Sequence, residues 1–168
     1  MLELPVALDY ASGPALRFSG SAASAFVVGT DPIGGQTDAQ IFRLGPHGLD
    51  ASFGAGGSVL LAAPLGIADD FAFVDAAVQS DGSVIVVAAG ATDDYQVRLT
   101  HDGAVDPTYG NVDGNDGAVV FATTDGSGGT YAPRALVLAA GDTALTVFDH
   151  QQNTGETAEE AIVCGYAP

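Results

Sequence analysis

Lysine is absent from this sequence, and its four arginines (Arg17, Arg43, Arg98, Arg134) are set against 21 acidic residues, a formal net charge of −17. A surface so poor in cations repels phosphate backbones and anionic bilayers, which argues against nucleic-acid and membrane partners. Cysteine occurs once, as Cys164, so neither an intramolecular disulfide nor a cysteine-built zinc site can form within the chain. Its neighbours Ala161, Ile162 and Val163 make it read as a buried small hydrophobe. No apolar run approaches the ~20 residues of a membrane-spanning helix. Met1-Leu2-Glu3-Leu4-Pro5 lacks the basic and apolar regions of a signal peptide. Helical periodicity is missing as well.

What remains is apolar and heavily punctuated. With 47% apolar residues and a mean hydropathy of +0.27, the chain has the material for a core and does not resemble a disordered one. Its 23 glycines, many in Asp-Gly or Gly-Gly pairs, separate short β-prone runs, the pattern of an all-β domain. The acidity reads as a solubility device or as adaptation to a salty habitat, with cation binding as the alternative.

The runs recur. Ala15-Leu16-Arg17-Phe18, a small-residue turn and Ala25-Phe26-Val27-Val28 read as a hairpin. A shift of 60 residues finds a hairpin at Ala76–Val78 and Val84–Val87, and a second shift finds one at Leu136–Leu138 and Leu145–Phe148. Under this shift Phe18, Val78 and Leu138 coincide, as do Ala25, Ile85 and Leu145, and Val27, Val87 and Val147. Residues two apart on a strand share a face, so these coincidences predict one buried face built three times. A third strand follows each hairpin, at 39–44, 94–99 and 160–164, preceded by an acid, Asp38, Asp93 or Glu159. A fourth appears at 58–62 and 118–122 only, and the run Leu4–Leu8 supplies a further one near the N-terminus. Three sets of four antiparallel strands predict a β-propeller-like fold of three blades, half a propeller. The units span about 11–62, 71–122 and 131–168, with 2–10 as the closing strand. Propellers have about 4 to 8 blades. Three therefore suggest a head-to-tail homodimer closing a six-bladed ring.

A second motif joins strands three and four. Arg43-Leu44-Gly45-Pro46-His47-Gly48-Leu49-Asp50-Ala51-Ser52-Phe53-Gly54 shares its skeleton with Arg98-Leu99-Thr100-His101-Asp102-Gly103-Ala104-Val105-Asp106-Pro107-Thr108-Tyr109-Gly110. Two of the four cations sit at the same point of it. The planar guanidinium fork predicts structural pairing with carboxylates or loop carbonyls, Arg43 near Asp50 and Arg98 near Asp106, with Phe53 or Tyr109 packed between neighbouring units. The third unit lacks this loop, and Cys164 stands where the arginines stand. Together with Ser80-Asp81-Gly82-Ser83-Val84-Ile85-Val86-Val87, the repeat resembles the bacterial delta-60 repeat over roughly residues 15–148. The resemblance implies propeller-like architecture, a secreted or cell-surface setting and no assigned activity. It supplies no catalytic residues.

Sites that carry chemistry are sparse. His47, His101 and His150 read as exposed turn residues that do not converge on one ion. Asp113, Asn115 and Asp116, in the loop Asn111–Gly117, offer oxygens at the start of a Ca²⁺-type loop, but Asp occupies the position where an EF-hand needs Gly. Calcium is the one cofactor suggested. Asp38, Asp93, Asp94, Glu159 and Glu160 could form carboxylate pairs of the glycosidase kind, yet their recurrence in the units favours a structural role. No nucleophile elbow, Ser-His-Asp spacing or phosphate loop is present. The expectation is a noncatalytic scaffold or protein-interaction module. A carbohydrate- or calcium-binding module using the acidic loops stands second, with a protein or glycan as ligand, and a hydrolase last.

Overall fold

The computed structural model describes residues 15–18, 25–33, 36–66, 70–110, 117–124, 126, 128–152 and 159–166. The expected closing strand at 2–10 and the loop carrying Asp113, Asn115 and Asp116 lie outside them. The described chain is all-β, in three antiparallel sheets formed in sequence order. The first sheet holds β1 (Ala15–Phe18), β2 (Ala25–Ile33), β3 (Gln36–Gly45), the two-residue β4 (Gly48–Leu49) and β5 (Ser58–Leu60). Here β3 is long enough to pair with β5 through Gln40–Phe42 and with β4 through Leu44–Gly45. The second sheet is β6 (Phe71–Val78), β7 (Val84–Gly90), β8 (Asp93–Leu99) and β9 (Ala118–Ala122). The third is β10 (Thr130–Leu138), β11 (Ala144–Gln151) and β12 (Glu159–Tyr166). Two short helical pieces interrupt the β pattern: α1 (Ala62–Leu65), where the strand predicted through Ala62 ends early, and a 3₁₀ turn at Ala140–Asp142 in the third hairpin.

Hairpin register corrects the 60-residue alignment. Phe18 pairs with Ala25, Val78 with Val84 and Leu138 with Ala144. The first connection, 19–24, is thus one residue longer than 79–83 or 139–143, and Ala25 matches Val84 and Ala144 rather than Ile85 and Leu145. Because side chains alternate between faces, that single residue moves a whole row to the other side of the sheet. The same register places Phe26 opposite Arg43, Ile85 opposite Arg98 and Leu145 opposite Gly165. Gly165, not Cys164, therefore holds the arginine position in the third sheet.

The sheets stack face to face. Phe26, Ile41, Phe53 and Leu61 of the first sheet and its loops pack on Phe73, Val84, Val86, Val97 and Leu99 of the second. Its opposite face carries Ile85 and Val87 onto Leu136 and Ala144 of the third. Covered on both sides, β7 is buried continuously from Val84 to Ala88, which is why it reads as an unbroken Val-Ile-Val-Val run. Both faces of β3 are covered too, since Ile41 and Phe42 are each 0% exposed. By contrast β11 alternates, with Ala144, Thr146, Phe148 and His150 buried against the second sheet and Leu145, Val147 and Asp149 on the other side. Edge-to-face ring pairs lie at both seams: Phe26 with Phe53 at 5.6 Å, within the first sheet and its loop, and Phe121 with Phe148 at 4.9 Å, from the second sheet to the third. Such pairs contribute about 0.5–1.5 kcal/mol each beyond their burial.

Candidate functional site

The Arg-Asp loops form two corners with the same internal bonds. In the first, the Asp50 amide donates to the Arg43 carbonyl at 2.9 Å and the Phe53 amide to the Asp50 carbonyl at 3.0 Å. The Asp50 carboxylate accepts from the Ser52 amide (3.1 Å) and hydroxyl (2.6 Å), an Asx-type turn that fixes the loop. In the second, Asp106 does the same with Thr108 at 2.9 and 2.7 Å. The side chains of Arg43 and Asp50 pair at 3.0 Å, those of Arg98 and Asp106 at 3.2 Å. Hydrogen bonds from Ser52, ahead of the charge of Arg43, hold the Asp50 carboxyl below the usual carboxylate range. At Asp106 burial works the other way, but Thr108 and Arg98 prevail and its pKa is also lowered. A glycine ends each corner because the left-handed backbone of Gly54 (φ 54°) and Gly110 (φ 70°) presses against the following strand, leaving no room for a Cβ.

The two arginines differ in reach. Arg43 donates across to the His101 carbonyl of the second sheet's turn, and its guanidinium lies 5.0 Å from the Phe53 ring centroid. Beside it the Gly54 amide donates to the Asp102 carbonyl at 2.8 Å. Arg98 instead bonds Asp81 at 2.7 Å, within its own sheet.

Between the second and third sheets lies a buried polar seam that composition and spacing do not reveal. Thr146 donates to the Gln96 side-chain carbonyl at 2.5 Å, and the Gln96 amide donates to the Tyr109 hydroxyl. Gln96 and Thr146 are 0% exposed, Tyr109 2%. Farther along, the Leu136 amide donates to Asp75 at 2.9 Å. At the hairpin ends Asp142 accepts from the Ser80 backbone amide and hydroxyl at 3.0 and 2.5 Å, while its backbone carbonyl takes the Gln79 side-chain amide at 3.0 Å. One sequence signal points to the seam: Gln96 takes the row position that Ile41 holds in the first sheet, two residues before the arginine.

Asp94 lies on the same face as Gln96, between Ala89 and Phe121 in the register. It is 2% exposed and its Oδ2 has no hydrogen-bond partner. Burial, reinforced by the negative charge of Asp93, pushes its pKa up to about 7. Asp38 answers burial differently, accepting the Ala62 amide at 3.0 Å. Asp93 and Asp94 are neighbours on β8 and so point to opposite faces of the strand, and they form no carboxylate pair across strands. The side chains of Glu159 and Glu160 lie outside the described residues.

His47 and His101 are exposed turn residues. His150 is not: it lies on β11, 7% exposed, with its ring stacked on Tyr131 at 4.6 Å, because its strand position faces the second sheet. Among the described residues no group of three or more His, Cys, Asp or Glu side chains could hold a metal ion, and no helix is long and apolar enough to cross a membrane.

The remaining feature is the outer face of the third sheet. Val137 and Val163 are 52% and 57% exposed there, with Leu145 and Val147 half-buried between them. Their register partners place all four on one face. The other end of that face is polar: Thr130, Ala132, Arg134, Asp149 and Gln151 line a shallow cleft in which Arg134 and Asp149 pair at 2.5 Å. No protein-family model, curated protein or solved structure matches this chain.

Proposed function

We propose that the protein is a noncatalytic propeller-type scaffold whose work is association, its three sheets serving as blades of an open row. One observation carries the reading. The face that the first sheet turns to the second, and the second to the third, is covered, whereas the corresponding face of the third leaves Val137 and Val163 in solvent. Exposed apolar rows bordered by polar residues mark interaction surfaces. The resemblance to delta-60 repeats, a family without assigned activity, points the same way. The polar groups with unusual environments, Gln96, Thr146 and Asp94, are buried between sheets where no substrate reaches them, and they read as seam-forming residues.

Sedimentation equilibrium of the full chain from low to high micromolar concentration tests this reading. Mass above that of one chain, rising with concentration, is expected. A single chain throughout, with no concentration dependence, overturns it.

A further inference from the structure

Resting on that association reading, we propose that the occupant of the open face is the same face of a second copy, in an isologous two-fold dimer. Three observations select this arrangement. The first is that a head-to-tail contact needs a free face on the first sheet, and Ile41 and Phe42, adjacent residues of β3 that point to opposite sides, are both fully buried within one chain. The row therefore has one described open end, and an open end that meets its like closes after two copies.

The second is charge. The chain carries four arginines against 21 acids, yet this face holds Arg134 beside Asp149, exposed by 61% and 41% at the side chain. A two-fold axis passing beside this pair brings Arg134 of each copy toward Asp149 of the other, so the ion pair is self-complementary, with Glu159 on the same face in the register.

The third is extent. Strands of nine, eight and eight residues span a face about 26 Å by 14 Å, a footprint of about 730 Å² over both copies, which belongs to the small, transient class of interface. The dimer is accordingly weak and reversible. Val163 sits where the second sheet has Gln96 and the first has Ile41, so the β12 side of the patch presents a side chain of the kind that packs dry with Val86 in the first seam.

Sedimentation equilibrium on variants of the full chain decides the point. Val163→Asp puts a charge at an exposed position, so the thermal midpoint should hold while association weakens roughly tenfold or more. Arg134→Asp and Asp149→Arg should each weaken self-association, because each gives the face two like charges. An equimolar mixture of those two variants should associate more tightly than either alone, since a doubly acidic face then meets a doubly basic one. A charge pair satisfied only inside one chain predicts no such rescue. If Val163→Asp associates as tightly as the wild type, or the mixture is no tighter than its components, the isologous pairing is overturned although association itself stands. Oligomers that grow past two copies overturn the pairing as well. A wild-type chain that never associates overturns both readings.

Discussion

The seam between the first and second sheets and the seam between the second and third use the same backbone positions with opposite chemistry. In the first, Ile41, Phe53 and Val86 meet in an apolar cluster. In the second, the corresponding residues are Gln96, Tyr109 and Thr146, joined in a hydrogen-bonded chain with exposures of 2% or less. The difference runs outward as well. Arg43 ties the first seam through the His101 carbonyl, while Arg98 closes on Asp81 and Asp106 of its own sheet. Asp142 and Asp75 supply further cross-sheet bonds in the second seam. Apolar contacts stabilise without direction, whereas a buried amide satisfied on both sides fixes how the sheets slide against each other. The first seam holds the stack together; the second sets its alignment.

Phe53→Ala should destabilise the stack most. Phe53 is fully buried, edge-on to Phe26, and supports the Arg43 guanidinium. Its removal is expected to cost about 3–5 kcal/mol in urea unfolding, the range for emptying a buried aromatic site. A loss under about 1 kcal/mol would mean that the first seam does not carry the stack.

The second seam can be converted into the chemistry of the first. Gln96→Leu removes the acceptor of the Thr146 hydroxyl and should cost about 2 kcal/mol, because a buried donor is left unpaired. The triple variant Gln96→Ile, Tyr109→Phe, Thr146→Val copies Ile41, Phe53 and Val86 into the second seam. Replacing all partners by apolar groups of similar shape should recover most of that loss, to within about 1 kcal/mol of the wild type. Non-additivity in the same unfolding series is the measurement. If the triple variant is as unstable as the sum of its single changes, the three residues do not act as one network.

How much of this is legible in the sequence follows from the range of each interaction. The strands are readable because apolar runs such as Val84–Val87 are bounded by Asp-Gly turns, which local physics dictates. The corners are readable because Arg43 and Asp50, or Arg98 and Asp106, lie within one loop and recur. Register is not: the connections 19–24 and 79–83 are both plausible turns, and only pairing shows the one-residue difference. Nor is the polar seam, since Gln96 and Thr146 are 50 positions apart and meet only through stacking of sheets. His150 departs from its expected exposed turn for the same reason, its position on a strand face outweighing its polarity.

The smallest effect, and the one with the clearest sign, belongs to Asp94. Its folded pKa of about 7 lies above the ordinary 3.8, so between those values the folded state retains a proton that the unfolded state releases. Stability then falls as pH rises from about 4 to about 7 and is lowest above it. Asp81 and Asp106 work in the opposite sense: with pKa values lowered in the fold, they stabilise it above the ordinary carboxylate range and lose that contribution as pH falls below it. Asp94→Asn removes only the first of these limbs. The variant should be more stable than the wild type by about 1–2 kcal/mol at pH 8, after allowance for relaxation and screening around the carboxyl. The gap should close toward pH 4, and both proteins should share the acid limb. Asp93→Asn removes the same charge from the neighbouring residue and separates the general relief of a −17 chain from the burial of this one group. Its gain should be the smaller at pH 8. Urea titrations at intervals between pH 4 and 8 give the comparison, and a parallel offset between wild type and Asp94→Asn at every pH would place the carboxylate outside the seam, leaving Gln96 and its partners as the second seam's only specifically polar contact on that strand.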